Sequence, residues 1–214
     1  MEKTIISFKE RVKNCAIENS VDFKKNFIDK EYCICSDVFP EKYFIIKALE
    51  ENYLHLVGVS TSLPANAFFK KCINKTLTEN DFDFTKRGVR KNELKGAVRE
   101  KIRVLPSMVG IFNNKKALIQ YGFNKNKINC VFASSDNQCT LGYAASGHPK
   151  SLLRGQYLDN SKSKKIDILL SKEKGKELFD KIEWSNTSYA EDYLPIIDNI
   201  ITEEIRQKLI NKEL

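Results

Sequence analysis

Three segments of this chain carry residues able to move a proton or hold a phosphate. The first is Tyr53-Leu-His-Leu-Val-Gly-Val-Ser-Thr-Ser62, where His55, one of two histidines, stands near Ser60 and Thr61. The second is a run of cations, Lys95, Arg99, Lys101 and Arg103. The third is Leu141-Gly-Tyr-Ala-Ala-Ser-Gly-His-Pro-Lys-Ser-Leu-Leu-Arg154, which supplies Tyr143, Lys150, Ser151 and Arg154. Together they suit phosphodiester cleavage in which the RNA 2′-hydroxyl attacks its own phosphate. That reaction needs a base for the 2′-hydroxyl, an acid for the leaving 5′-oxygen, and donors or cations around the phosphorane. Histidine titrates near neutrality and serves as either proton carrier. Arginine holds phosphate as a two-pronged donor, and lysine as a point charge.

Each segment also has a plainer reading. His55 lies among apolar residues, as a core histidine would. The cations fit a solvated helix face. Tyr143 fits a core, Ser151 fits the cap of a short helix Ser-Leu-Leu-Arg, and His148, just before Pro149, fits an exposed bystander.

Bulk composition narrows the classes. Lys and Arg total 36 against 28 Asp and Glu, for a net charge of +8. Such a balance favours a polyanionic partner, although lysine bias from an AT-rich genome gives the same numbers. No phosphate loop, Gly-x-Gly-x-x-Gly, His-Glu-x-x-His or Gly-x-Ser-x-Gly motif is present, which argues against P-loop, zincin and α/β-hydrolase chemistry. The 6 cysteines follow no visible secretory signal, so reduced thiols and a cytoplasmic location are expected. Cys33-Ile-Cys35 has no second pair at zinc-site spacing, so no metal is expected, and no other cofactor is implied. No apolar run approaches the roughly 18 residues of a membrane span, so no membrane partner is expected.

The elements that must position these groups follow from periodicity. An apolar stripe of Ile5, Phe8, Val12, Cys15 and Ile17 predicts a helix over 4–28, with a break near Asn19-Ser20. Residues 32–39 and 42–48 read as a hairpin turning at Pro40-Glu41. Residues 53–59 fit either a short strand or a helix start. A helix is predicted over 63–73 with Pro64 near its first turn, and Thr78 to Asp81 offers a cap. The longest helix is expected over 91–112, with Leu94, Val98, Ile102 and Leu105 on one face and Pro106 bending or ending it. Residues 117–123, 128–133, 139–144 and 165–170 read as an antiparallel meander. Between them, 145–154 is expected to be a phosphate-holding loop turning at Gly147 and Pro149. A polar link over 185–190 leads to a helix over 193–214 with an isoleucine face, restarting at Thr202-Glu-Glu-Ile. Two units are expected: a ribonuclease-like domain over 1–184 and a helical appendage over 185–214.

Leu54-His55-Leu56-Val57-Gly58, the helix with Phe68-Phe69, Lys101-Ile-Arg-Val-Leu-Pro, Leu141-Gly-Tyr143, Pro149-Lys-Ser-Leu-Leu-Arg154 and the strand over 165–170 form one pattern. It resembles the fourth of the phage nuclease families grouped with barnase, EndoU, colicin and RelE, over about residues 25–183. The resemblance implies an α+β fold, with N-terminal helices packed on a roughly four-stranded antiparallel sheet; the appendage adds a C-terminal helix. It implies metal-independent endoribonuclease activity on RNA, tRNA or mRNA, in phage conflict or as a toxin, with an antitoxin or inhibitor protein as partner. By match to its motifs, His55, Lys101 and Ser151 carry the chemistry, with Arg154 as phosphate clamp. Arg99, Arg103, Lys150, Tyr143, Ser60 and Thr61 are the expected substrate-binding residues. Two other classes compete: a non-catalytic nucleic-acid-binding protein on the same fold, and an ADP-ribosyltransferase-like toxin suggested by Ser60-Thr-Ser62. The latter lacks a downstream Glu-x-Glu.

Overall fold

The computed structural model describes residues 6–186 and 190–211. The architecture is α+β, with N-terminal helices, antiparallel sheets and a helical C-terminus. Helix α1, Phe8–Phe23, is capped by the Ser7 hydroxyl, which accepts from the Glu10 N–H, and it passes directly into a π-turn over Lys24–Ile28. The expected break at Asn19-Ser20 does not occur. The Asn19 amide donates to the Cys15 carbonyl and the Ser20 hydroxyl to the Ile17 carbonyl, so both polar side chains bond within the helix. Ile5 of the predicted stripe lies outside the described residues.

Strands β1, Lys30–Cys35, and β2, Tyr43–Lys47, form the expected hairpin. Residues 53–59 resolve to a helix start: α2 spans Asn52–Val57 and stops at Gly58 in the left-handed region, φ 83°. Helix α3, Ala65–Ile73, begins after Pro64, and Thr78 and Asp81 form a reciprocal capping box at a short 3-10 turn. Helix α4, Lys91–Val104, is shorter than predicted and shorter than α1. Pro106 excludes a regular helix beyond it, and a 3-10 turn follows over Met108–Asn113.

Strands β3 (Leu118–Tyr121), β6 (Phe132–Ser135), β7 (Cys139–Tyr143) and β8 (Pro149–Arg154) make the meander, interrupted by the small hairpin β4 (Asn124–Lys125) and β5 (Ile128–Asn129). The segment expected as a phosphate-holding loop is thus strand β8. A tight turn closes at Ala144–Gly147, and the chain returns against β7 with Leu152 fully buried. Pro149 occupies the first strand position, where its missing N–H is tolerated. Gly147 permits this turn to dock on the first hairpin: a Cβ there would lie 2.3 Å from the Ile45 carbonyl oxygen.

The stretch 165–170 divides between two sheets. Strand β9, Lys164–Lys165, ends a five-stranded sheet of order β8-β7-β6-β3-β9. Strand β10, Ile168–Glu173, enters a four-stranded sheet of order β11-β10-β1-β2, with β11 at Lys181–Ser185. Two sheets thus stand where the resemblance implied one of roughly four strands, and most of the expected meander lies in the five-stranded one.

The four-stranded sheet is covered on both faces. Tyr32, Ile34 and Leu169 face the main core with α1 to α4, where rings chain from Phe23 through Phe27, Phe112 and Tyr143 to Phe132. Cys33, Cys35, Ile168 and Leu170 face the tail. The tail folds as α5, Ala190–Ile197, and α6, Glu203–Asn211, with Ile197, Ile201, Ile205 and Leu209 buried. The predicted helix at 193–214 is thus two helices, restarting after Thr202 as expected; 212–214 lie outside the described residues. The tail docks on the sheet through the Tyr193 hydroxyl, which donates to Asp167 at 2.5 Å, and through backbone bonds at Phe179. Burying this face prevents a large exposed apolar patch. Of the polar link, 187–189 lie outside the described residues.

Candidate active site

Two clefts adjoin on one side of α4, and Lys101 and Ala97 line both. The first, about 520 Å³, is walled by His55, Gly58, Ser60, Thr61, Lys86 and Lys150. The second, about 430 Å³, is walled by Glu100, Lys125, Ile128, Ser151, Arg154 and Tyr157. Four elements separated in sequence therefore wall the two clefts that share Lys101: α2, α4, β8 and the β4–β5 hairpin.

Lys101 is the junction. It leaves the last turn of α4 half-buried, and its Nζ donates to the His55 carbonyl oxygen at 2.5 Å. That carbonyl lies in the last turn of α2, where helix carbonyls lack intrahelical partners and a cation is favoured. Gly58 makes the approach possible. A Cβ at Gly58 would lie 2.7 Å from Lys101 Cδ and 3.0 Å from Nζ. Burial, with the nearby Lys86 charge adding to it, pushes the Lys101 amine down from 10.5 to about 8.

His55 is exposed on α2, not sealed in the core, and among the described residues its ring makes no hydrogen bond. It is free to meet a ligand. Ser151 is 8% exposed on β8 and its hydroxyl has no partner among the described residues. Arg154 ends β8 and donates to Glu100 at 2.8 Å, while Arg103 donates to the other Glu100 oxygen at 2.6 Å. Arg154, with Arg103, holds the Glu100 carboxyl below the usual carboxylate range. Spacing within α4 shows the Glu100–Arg103 pair; nothing local shows that Glu100 also reaches Arg154, 54 residues on. Lys150 lines the first cleft and donates to the Asn129 carbonyl at 2.9 Å, tying the β4–β5 hairpin to the site.

Other predicted residues lie elsewhere or serve the scaffold. Tyr143 is fully buried, stacked on Phe132 at 4.4 Å with its hydroxyl near Ser134, so it cannot touch substrate. Alternation along β7 turns it into the core. Arg99 and Arg103 line a separate groove with Phe8 and Arg11, away from His55. Arg99 stands over the Phe8 ring at 5.0 Å. Ser60 lines the first cleft, but its backbone is bridged to Asp83. The Thr61 hydroxyl donates to the Asp81 carbonyl at 2.5 Å and accepts from Leu63 N–H, so it holds a turn. Two residues that sequence reasoning missed enter the site: Lys86, from the loop before α4, and Tyr157, just after β8. Among the described residues, no cluster of three His, Cys, Asp or Glu side chains could hold a metal ion.

Fold and site together define a basic α+β protein with a cleft of imidazole, amine, guanidinium and hydroxyl groups. The chain belongs to the family PBECR4, phage-Barnase-EndoU-ColicinE5/D-RelE like nuclease4, whose model matches residues 17–209 and so takes in the tail. No curated protein and no solved structure matches the chain. Membership of a nuclease family makes nucleic acid the substrate class.

Proposed function

We propose that the chain is a metal-independent endoribonuclease acting as a toxin or anti-phage effector, with the Lys101 junction as its active site. The observation carrying this reading is the half-buried Lys101 amine, held at 2.5 Å from the His55 carbonyl and shared by both clefts. His55 takes the 2′-hydroxyl proton as that oxygen attacks phosphorus. Lys101 stabilises the phosphorane and supplies the proton to the 5′-oxygen as the P–O5′ bond breaks; a pKa near 8 suits an acid at neutral pH. Ser151 orients a phosphate oxygen, and Arg154 holds the phosphate with the donors that Glu100 leaves free. The products are a 2′,3′-cyclic phosphate and a 5′-hydroxyl.

The test is incubation of purified protein with tRNA and mRNA in EDTA, with chemical analysis of the new ends. Cleavage to cyclic-phosphate ends, lost by about 10²–10⁴-fold in a folded His55→Ala protein, is expected for a general base. Inhibition by EDTA restored by added metal, or an unaffected His55→Ala protein, would overturn the mechanism. Tight RNA binding with no cleavage would leave the non-catalytic binding reading instead.

A further inference from the structure

We propose that the second cleft is a nucleobase subsite, in which Tyr157 stacks a base of the RNA strand next to the scissile phosphate. The inference rests on reading the Lys101 junction as an RNA-cleaving site and names how that site grips its strand.

Tyr157 is 42% exposed, and among the described residues its hydroxyl makes no hydrogen bond. Folding gains little from leaving an aromatic ring so displayed. The ring nevertheless stands on a fixed backbone. The Tyr157 N–H donates to Thr140 Oγ1 at 3.1 Å, the next residue, Leu158, is buried, and the Asp159 N–H donates to Gln120 Oε1 at 2.7 Å. A rigidly mounted, solvent-facing ring is a stacking platform, and every base offers a π-face to it.

The surroundings fit one base and its phosphate. Ile128 and Leu153 give the cleft apolar lining, and Ser151, Arg154 and Lys101, the groups proposed to hold the phosphate, line the same cleft. Lys125 Nζ stands 3.0 Å from the Tyr157 ring centroid. It occupies the face that a base would take, and a base arriving there displaces it toward the flanking phosphate, so the cation is retained by the bound strand. Lys125 ends strand β4, just before the two-residue turn Asn126-Lys127, where Asn126 is left-handed at φ 55°, and Lys150 anchors that hairpin. An apolar lining with a small number of polar groups is the usual form of a site that orients a ligand.

The test uses single-stranded RNA tetranucleotides of each base, bound to the full-length His55→Ala protein and followed by fluorescence anisotropy. Tyr157→Ala is expected to weaken binding about 10- to 100-fold, and Tyr157→Phe to restore it, as base stacking requires. In the otherwise wild-type chain, Tyr157→Ala should raise KM by more than it lowers kcat and flatten the cleavage preference among bases. Tyr121→Ala, an equally exposed tyrosine at 43% outside both clefts, should change neither. If the wild-type chain cleaves RNA and Tyr157→Ala binds and cleaves as well as it does, the base subsite is wrong and the active-site reading stands. If the wild-type chain neither binds nor cleaves RNA, the subsite and that reading fall together.

Discussion

Helix α4 presents two sets of cations, and they live in different physical worlds. Lys95 stands over Phe84 at 5.6 Å, Arg99 over Phe8 at 5.0 Å, and exposed Arg103 pairs with Glu100. These charges keep most of their water and cover aromatic surface, as long basic side chains do. Lys101, on a neighbouring face, is inserted between α2 and α4, with a main-chain carbonyl as its partner and a depressed pKa. Along the sequence all four read as one basic helix. What separates them is desolvation, at a close approach that Gly58 permits by having no Cβ; the Lys86 charge adds to the shift, and the His55 carbonyl gives the amine its partner.

The comparison is tested hardest by exchanging the buried cation for an apolar side chain. Lys101→Met should lower kcat by about 10²–10³-fold, the range for removing one fixed stabiliser of transition-state charge. Its thermal stability at pH 7 should hold or rise, because a charged amine leaves a partly dry site; a large fall in Tm would show Lys101 to be structural. The pH dependence has a definite sign. The unfolded chain keeps the Lys101 proton up to about 10.5, and the folded chain releases it near 8. The unfolded state therefore binds more protons between these values, and this residue's contribution to stability rises with pH across that window. Subtracting the Lys101→Met curve from wild type should reveal that rise; a flat difference would contradict the desolvated environment.

Gly58→Ala probes the same contact from the other side. A side chain at φ 83° is strained, and the new methyl overlaps Lys101 Cδ. A stability loss of about 1–3 kcal/mol is expected, with activity falling further than folding accounts for. An alanine enzyme of full activity would show that the tight approach is incidental.

The exposed cations should respond weakly. Arg99→Ala should cost about 0.5–1 kcal/mol of stability through its lost aromatic contact and leave turnover within about 2-fold, since it touches neither cleft. Arg103→Ala should change stability by less still, as exposed ion pairs do. A strong loss of activity in either would erase the distinction between the two faces.

Much of this division is hidden from sequence for a physical reason. The hairpin of β1 and β2, the α3 start at Pro64 and the restart of the tail at Thr202 rest on local chemistry: turn residues, a cap, a helix-compatible proline. These were legible. Strands β1 and β10 are buried on both faces, so they show no alternation, and nothing local reveals that β9 and β10 belong to different sheets. Strand β8 looked like a loop because Gly147 and Pro149 mark a turn; the pairing that makes it a strand comes from β7. His55, Lys101, Ser151 and Arg154 stand out in the sequence by residue type and family pattern, and they line adjoining clefts. Tyr143 and Arg99 stand out as possible substrate contacts by residue type, and they face the core and another groove. Residue type is written in the sequence; the direction a side chain faces is set by the whole fold.

The central claim is that Lys101 acts in its charged form from a desolvated junction. The most direct test is the pH dependence of single-turnover RNA cleavage by wild type and by Lys101→Met. The wild-type rate should fall as pH rises through about 8, where Lys101 loses its proton, and the residual rate of Lys101→Met should lack that falling limb. A wild-type rate that climbs through pH 8 to a plateau, or the same falling limb in Lys101→Met, would contradict it.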